Sequence, residues 1–139
     1  MRFSISNLFK SKKKEVSVED FPKIDFKGGS KYAEDEKNTV YLDFEELGGF
    51  PFIQTIIIGE FSTKIKRVGC TLTFVFESDE LTIHSDNTDI GSSEIKNTPF
   101  YYTEIDFELN EEESKRIQDE KVIEIQYQFK EKMIRLKTI

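Results

Sequence analysis

The sequence predicts an all-β protein: an antiparallel β-sandwich of about seven strands with one short helix before the C-terminal hairpin, or alternatively a flattened β-barrel. Three observations predict it. In residues 68–76, VGCTLTFVF, the residues Val68, Cys70, Leu72, Phe74 and Phe76 share one phase of a period of two. The same alternation returns over residues 39–45, 101–109 and 123–129. A composition with 13 Phe, 3 Pro and no Trp suits packed strands better than disorder.

A chain of 139 residues suits one core. Its net charge of −7 is uneven: Arg2, Lys10, Lys12, Lys13 and Lys14 give the first fourteen residues +5, leaving −12 for the rest. So acidic a body repels phosphate backbones, which argues against nucleic acid and for a protein partner with a basic surface. The single cysteine, Cys70, rules out an intramolecular disulfide and suits a reducing compartment. Apolar residues precede the lysines at the N-terminus, the reverse of a secretory signal, so a cytoplasmic location is expected.

Residues 1–38 lack sustained periodicity and read as a basic tail plus a flexible polar segment, with residues 39–139 as the single β domain. Phe3, Leu8 and Phe9 followed by Lys10, Lys12, Lys13 and Lys14 form an apolar wedge beside a polybasic patch. That is the form of a weak peripheral membrane contact, though the same pattern describes a frayed tail. Phe21, Pro22, Ile24 and Phe26 suit an edge strand, and residues 27–30 and 33–38 a polar connection.

Over residues 39–45, Val40, Leu42 and Phe44 point inward and Tyr41, Asp43 and Glu45 outward; a turn follows at Gly48-Gly49. Residues 52–61 carry apolar side chains on both phases, which implies cover on both faces or a bend between sheets. The inward row of residues 68–76 contributes on the order of 10 kcal/mol before chain entropy. A loop of residues 77–80 would then pair Phe76 with Leu81, Phe74 with Ile83 and Leu72 with Ser85, and set Thr73 by His84.

Residues 86–99 read as a long polar loop. Tyr101, Thr103, Ile105, Phe107 and Leu109 form an inward row. Asn110 followed by three glutamates, with Glu113 at the capping-box position, starts a short helix ending near Asp119 with Ile117 as its core contact. Ile123, Ile125, Tyr127 and Phe129 face inward in the last hairpin, where pairing Phe129 with Ile134 puts Tyr127 against Leu136.

Chemistry-bearing sets are sparse. Cys70 and His84 fall on opposite faces, against Cys-His catalysis. One cysteine and one histidine are too few for a structural zinc site. The run Ser85, Asn87, Asp89 resembles a calcium loop but carries Ile90 and Lys96 where that loop needs Gly and Glu. Gly28-Gly29-Ser30-Lys31 lacks phosphate-loop spacing. No metal or other cofactor and no enzymatic activity is expected.

Glu104, Asp106 and Glu108 form a row of carboxylates about 7 Å apart, and Phe100 and Tyr102 extend the same outward phase. This is either a solvated strand face with rings tucked under a loop, or a binding patch. The leading expectation is a non-catalytic acidic protein that binds a basic protein through Phe100, Tyr102, Glu104, Asp106 and Glu108. An inhibitor or immunity-type role fits that form. The alternatives are a barrel carrying a small apolar ligand, drawn from the Phe-rich inner rows, and a peripheral membrane protein using the basic segment.

Overall fold

A computed structural model describes residues 30–139; the expected edge strand over residues 21–26 and the apolar and basic residues of the tail lie outside them. In chain order the elements are β1 (Ser30–Glu34), β2 (Asn38–Leu47), β3 (Phe50–Gly59), β4 (Lys64–Ile65), β5 (Thr71–Val75), β6 (Glu80–His84) and β7 (Ile90–Glu94). There follow β8 (Tyr101–Glu108), α1 (Glu111–Asp119), β9 (Glu124–Gln128) and β10 (Met133–Thr138). The all-β class is as expected.

The strands form one ten-stranded sheet in the order β4-β7-β8-β3-β2-β1-β10-β9-β5-β6, antiparallel throughout. The sheet curls into a half-barrel, nearer the flattened-barrel alternative than two stacked layers. Curling lets one sheet cover its own apolar face. The concave side holds the core: Val40 and Leu42 of β2, Ile53 and Ile57 of β3, Leu72 and Phe74 of β5, Ile105 and Phe107 of β8, and Ile125 and Tyr127 of β9. Tyr127 stacks on Phe129 at 5.8 Å between ring centroids.

Two features differ from expectation because short polar strands do not alternate. Ser30–Glu34, expected to belong largely to a polar connection, is β1, seated between β2 and β10 with Ala33 fully buried. Ile90–Glu94, expected within a loop, is β7; it pairs with both β8 and β4. The backbone ladder and neighbouring strands stabilise these segments, not an apolar row of their own.

The β5–β6 and β9–β10 hairpins are both shifted by two residues from the expected register. Leu72 faces Ile83 and Phe74 faces Leu81; Tyr127 faces Ile134 and Ile125 faces Leu136. Each closes on two corner residues, with the Phe76 N–H donating to the Asp79 carbonyl at 2.8 Å and the Phe129 N–H to that of Lys132 at 2.7 Å. A shift of two preserves the side-chain parity, so the inward rows stay inward. Val68 and Ile123 are exceptions: both are exposed, Val68 at 62%. Val68 stands between Arg67 (φ 75°) and Gly69 (φ 65°), where the chain turns before β5 begins.

The helix forms as expected. Asn110 Oδ1 accepts from the Glu113 N–H at 2.7 Å and Glu113 Oε1 from the Asn110 N–H at 2.9 Å, closing the capping box. Ile117 is buried in the core, and Arg116 pairs with Asp79 and lies 4.1 Å above the Phe76 ring. These contacts fix the helix against the β5–β6 turn. Among the described residues, no helix is long and apolar enough to cross a membrane.

Candidate functional site

The expected row Glu104, Asp106 and Glu108 lies on the convex face of β8, and the ladder sets its neighbours. Glu108 stands beside Phe52 and Glu45, Asp106 beside Gln54 and Asp43, Glu104 beside Ile56 and Tyr41. Residues directly paired in an antiparallel ladder point to the same side. Three cross-strand rows therefore place Asp43, Glu45, Glu104, Asp106 and Glu108 on one surface.

This surface changes character along β8. At its start, the β7–β8 connection folds back onto the face: the Ile95 N–H donates to the Phe100 carbonyl at 2.9 Å, and Thr98 bonds the Ile95 carbonyl through both its amide and its hydroxyl. Ile95 then joins Tyr41 and Ile58 in a small buried cluster, with Ile56, Phe100 and Tyr102 packed against it. Phe100 and Tyr102 thus serve as half-buried packing rather than as a free ring platform. The carboxylate end is open: Glu104 and Glu108 are exposed and Asp106 is half-buried.

One wall of the site comes from the β6–β7 connection. The Asp86 N–H donates to the Asp106 carbonyl at 2.7 Å, and the Asp106 N–H donates to Asn87 Oδ1 at 2.8 Å. The remaining oxygens of this run are also spent on backbone: Ser85 Oγ accepts from the Cys70 N–H at 2.9 Å, and Asp89 Oδ1 from the Arg67 N–H at 2.9 Å. The calcium-like spacing is therefore a turn that ties the β4–β5 connection to β8. Among the described residues no cluster of three or more Cys, His, Asp or Glu is arranged to hold a metal ion.

Wall and sheet enclose an open cleft of about 510 Å³ that includes Asp43, Gln54, Asp89, Tyr102, Glu104 and Asp106. Carboxylates just outside it crowd those that line it, Asp86 beside Asp106 and Glu45 beside Asp43. Burial, then the charge of Asp86, pushes the Asp106 pKa above the usual carboxylate range. A hydrogen bond with Asp43, then the Asp43 charge, does the same for Glu45. The ion pairs among the described residues join Lys31 to Glu34 and Arg116 to Asp79 and Glu120, and leave this face unneutralised. A cation brought to the cleft relieves that repulsion.

Asp43 and Gln54 do not stand out in the sequence as site residues, and Asn87 and Asp89 do so only as oxygens of the calcium-like run. The outward phase of β2 is legible, but its place two strands from β8 is not. Cys70 and His84 are separate, as expected: the thiol is in the core and the imidazole side is exposed. Burial pushes the Cys70 pKa up to about 12, the opposite of an activated nucleophile. None of the family models, curated proteins or solved structures compared with this chain matches it.

Proposed function

We propose that this chain is a non-catalytic binding module whose convex acidic face, on β2, β3 and β8, docks a basic surface of another protein. The observation that carries this reading is the single strip of Asp43, Glu45, Glu104, Asp106 and Glu108, which no ion pair among the described residues neutralises and which the half-buried Tyr102 and Ile56 side chains border. Such a row of carboxylates supplies steering and register toward a basic partner. Blocking a basic enzyme, in the manner of an immunity protein, is a role this surface fits.

Large side chains, among them Tyr127, Phe74, Phe107 and Phe129, occupy the concave side, which favours surface binding over a carrier of small apolar ligands. The lone buried thiol supports a cytoplasmic location. The test is co-purification from the source cell with the native chain and with a Glu104→Gln, Asp106→Asn, Glu108→Gln variant. The reading requires a basic protein that is retained by the native chain, released by salt, and lost in the variant. Equal retention of that protein by both chains contradicts it.

A further inference from the structure

The tip of the β2–β3 hairpin carries the most exposed large apolar side chains among the described residues. Leu47 is 73% and Phe50 72% exposed, on either side of Gly48 (φ 59°) and Gly49 (φ 86°). A two-residue turn with both φ positive suits glycine, but it does not require apolar flanks. Beneath the tip is a notch of about 290 Å³, with Leu47, Phe50 and Phe52 on its apolar side and Asp86, Asp106 and Glu108 on its acidic side. A matching occupant presents apolar groups next to positive charge.

The direction of the chain points to one. Strand β1 runs antiparallel to β2 with Ser30 beside Leu42 and Lys31 beside Tyr41. The N-terminal end of β1, at Ser30, is therefore its end nearer Leu47. The sequence that precedes it contains Phe3, Leu8 and Phe9 directly before Lys10, Lys12, Lys13 and Lys14. The twenty or so residues between Phe9 and Ser30 span up to roughly 70 Å when extended, ample to reach the tip. A tether of this kind supplies an effective concentration on the order of millimolar, so weak contacts suffice.

We propose that residues 3–14 dock in cis on this notch, with Phe3, Leu8 and Phe9 against Leu47 and Phe50 and the lysines over Asp86, Asp106 and Glu108. The segment then covers part of the acidic face and competes with any outside basic partner; the docking itself does not depend on that partner. Anionic lipid is the poorer match for the tip, because inserting Leu47 and Phe50 would press Glu45, Glu46 and Glu108 against like charge.

The chain has no Trp, so Phe9→Trp in the full chain introduces a single indole reporter. Docking predicts blue-shifted emission and several-fold weaker acrylamide quenching than for a free indole, both independent of protein concentration. Adding Leu47→Ser and Phe50→Ser, at exposed positions whose retained fold circular dichroism verifies, must restore solvent-like emission; so must Lys12→Glu, Lys13→Glu and Lys14→Glu. An indole exposed from the outset overturns the proposal. So does protection that survives the serine substitutions, that rises with protein concentration (a second copy), or that arises only with phosphatidylserine vesicles (a lipid surface).

Discussion

The backbone amide of Asp106 donates to the side-chain oxygen of Asn87 at 2.8 Å, binding the β6–β7 connection to the acidic strand just beyond the last β7–β8 pair. Through this contact, a polar run that reads as a loop becomes the wall of the cleft.

Asn87→Ala leaves that half-buried amide without its acceptor and is expected to cost about 1–2 kcal/mol. Hydrogen exchange checks it. The Asp106 amide accelerates and the core amides of β5 and β9 change little; an unchanged Asp106 amide shows that the wall is held elsewhere.

At Asp106, stability and the proposed binding oppose one another. Its pKa is raised by burial and by Asp86, so between the ordinary carboxylate value and the raised one the folded chain holds a proton that the unfolded chain has already released. Stability then falls as pH rises from the ordinary carboxylate value through the raised one, and the neutral-pH protein bears the cost of the charge. Asp106→Asn is expected to raise the melting temperature at pH 7, to flatten that acid-side dependence, and to weaken binding of a cationic peptide. A lower melting temperature with the same pH slope runs against this.

Tyr127 is fully buried and, among the described residues, its hydroxyl has no hydrogen bond of ordinary geometry; the Thr55 hydroxyl beside it makes at most a weak contact and donates instead to the Ile105 carbonyl at 2.9 Å. Tyr127→Phe removes a desolvated oxygen and keeps the ring, so urea unfolding is expected to show no loss and up to about 1 kcal/mol of gain. Tyr127→Ala empties the centre of the core and costs about 3–5 kcal/mol. A large loss in the Phe variant would reveal a partner for the hydroxyl.

Alkaline pH acts through the same core. Burial lifts Cys70 from 9.0 and Tyr32 from 10.0, each to about 12. The unfolded chain gives up these protons first, so stability is full below pH 9 and declines as pH rises toward 12. Urea midpoints measured across that range check the decline, and Cys70→Ala removes its earlier part. A native thiol that reacts with a disulfide reagent at pH 8 as fast as the unfolded one contradicts the burial.

How far the sequence discloses this molecule depends on where apolar side chains alternate. Leu72 and Phe74, and Thr103 through Leu109, announce their faces because burial demands strict parity; the capping box at Asn110 and Glu113 is a local signal and is equally plain. Hairpin register is less legible, since a two-residue shift keeps every face and only the turn decides between them. β1 and β7 are polar and five residues long, and owe their conformation to neighbours distant in the chain. For the site, the β8 row is readable but its partners are not: no local feature tells that β2 lies two strands away, or that Asn87 reaches the Asp106 amide.

The acidic face is tested most directly by titrating a lysine-rich peptide into the isotope-labelled chain and mapping amide shifts. Shifts are expected to concentrate at Asp43, Gln54 and residues 86–89 and 102–108, to vanish at high salt, and to be lost when Glu104, Asp106 and Glu108 are neutralised together. Shifts that spread evenly over the surface, cluster elsewhere, or persist in the neutralised variant would contradict the account.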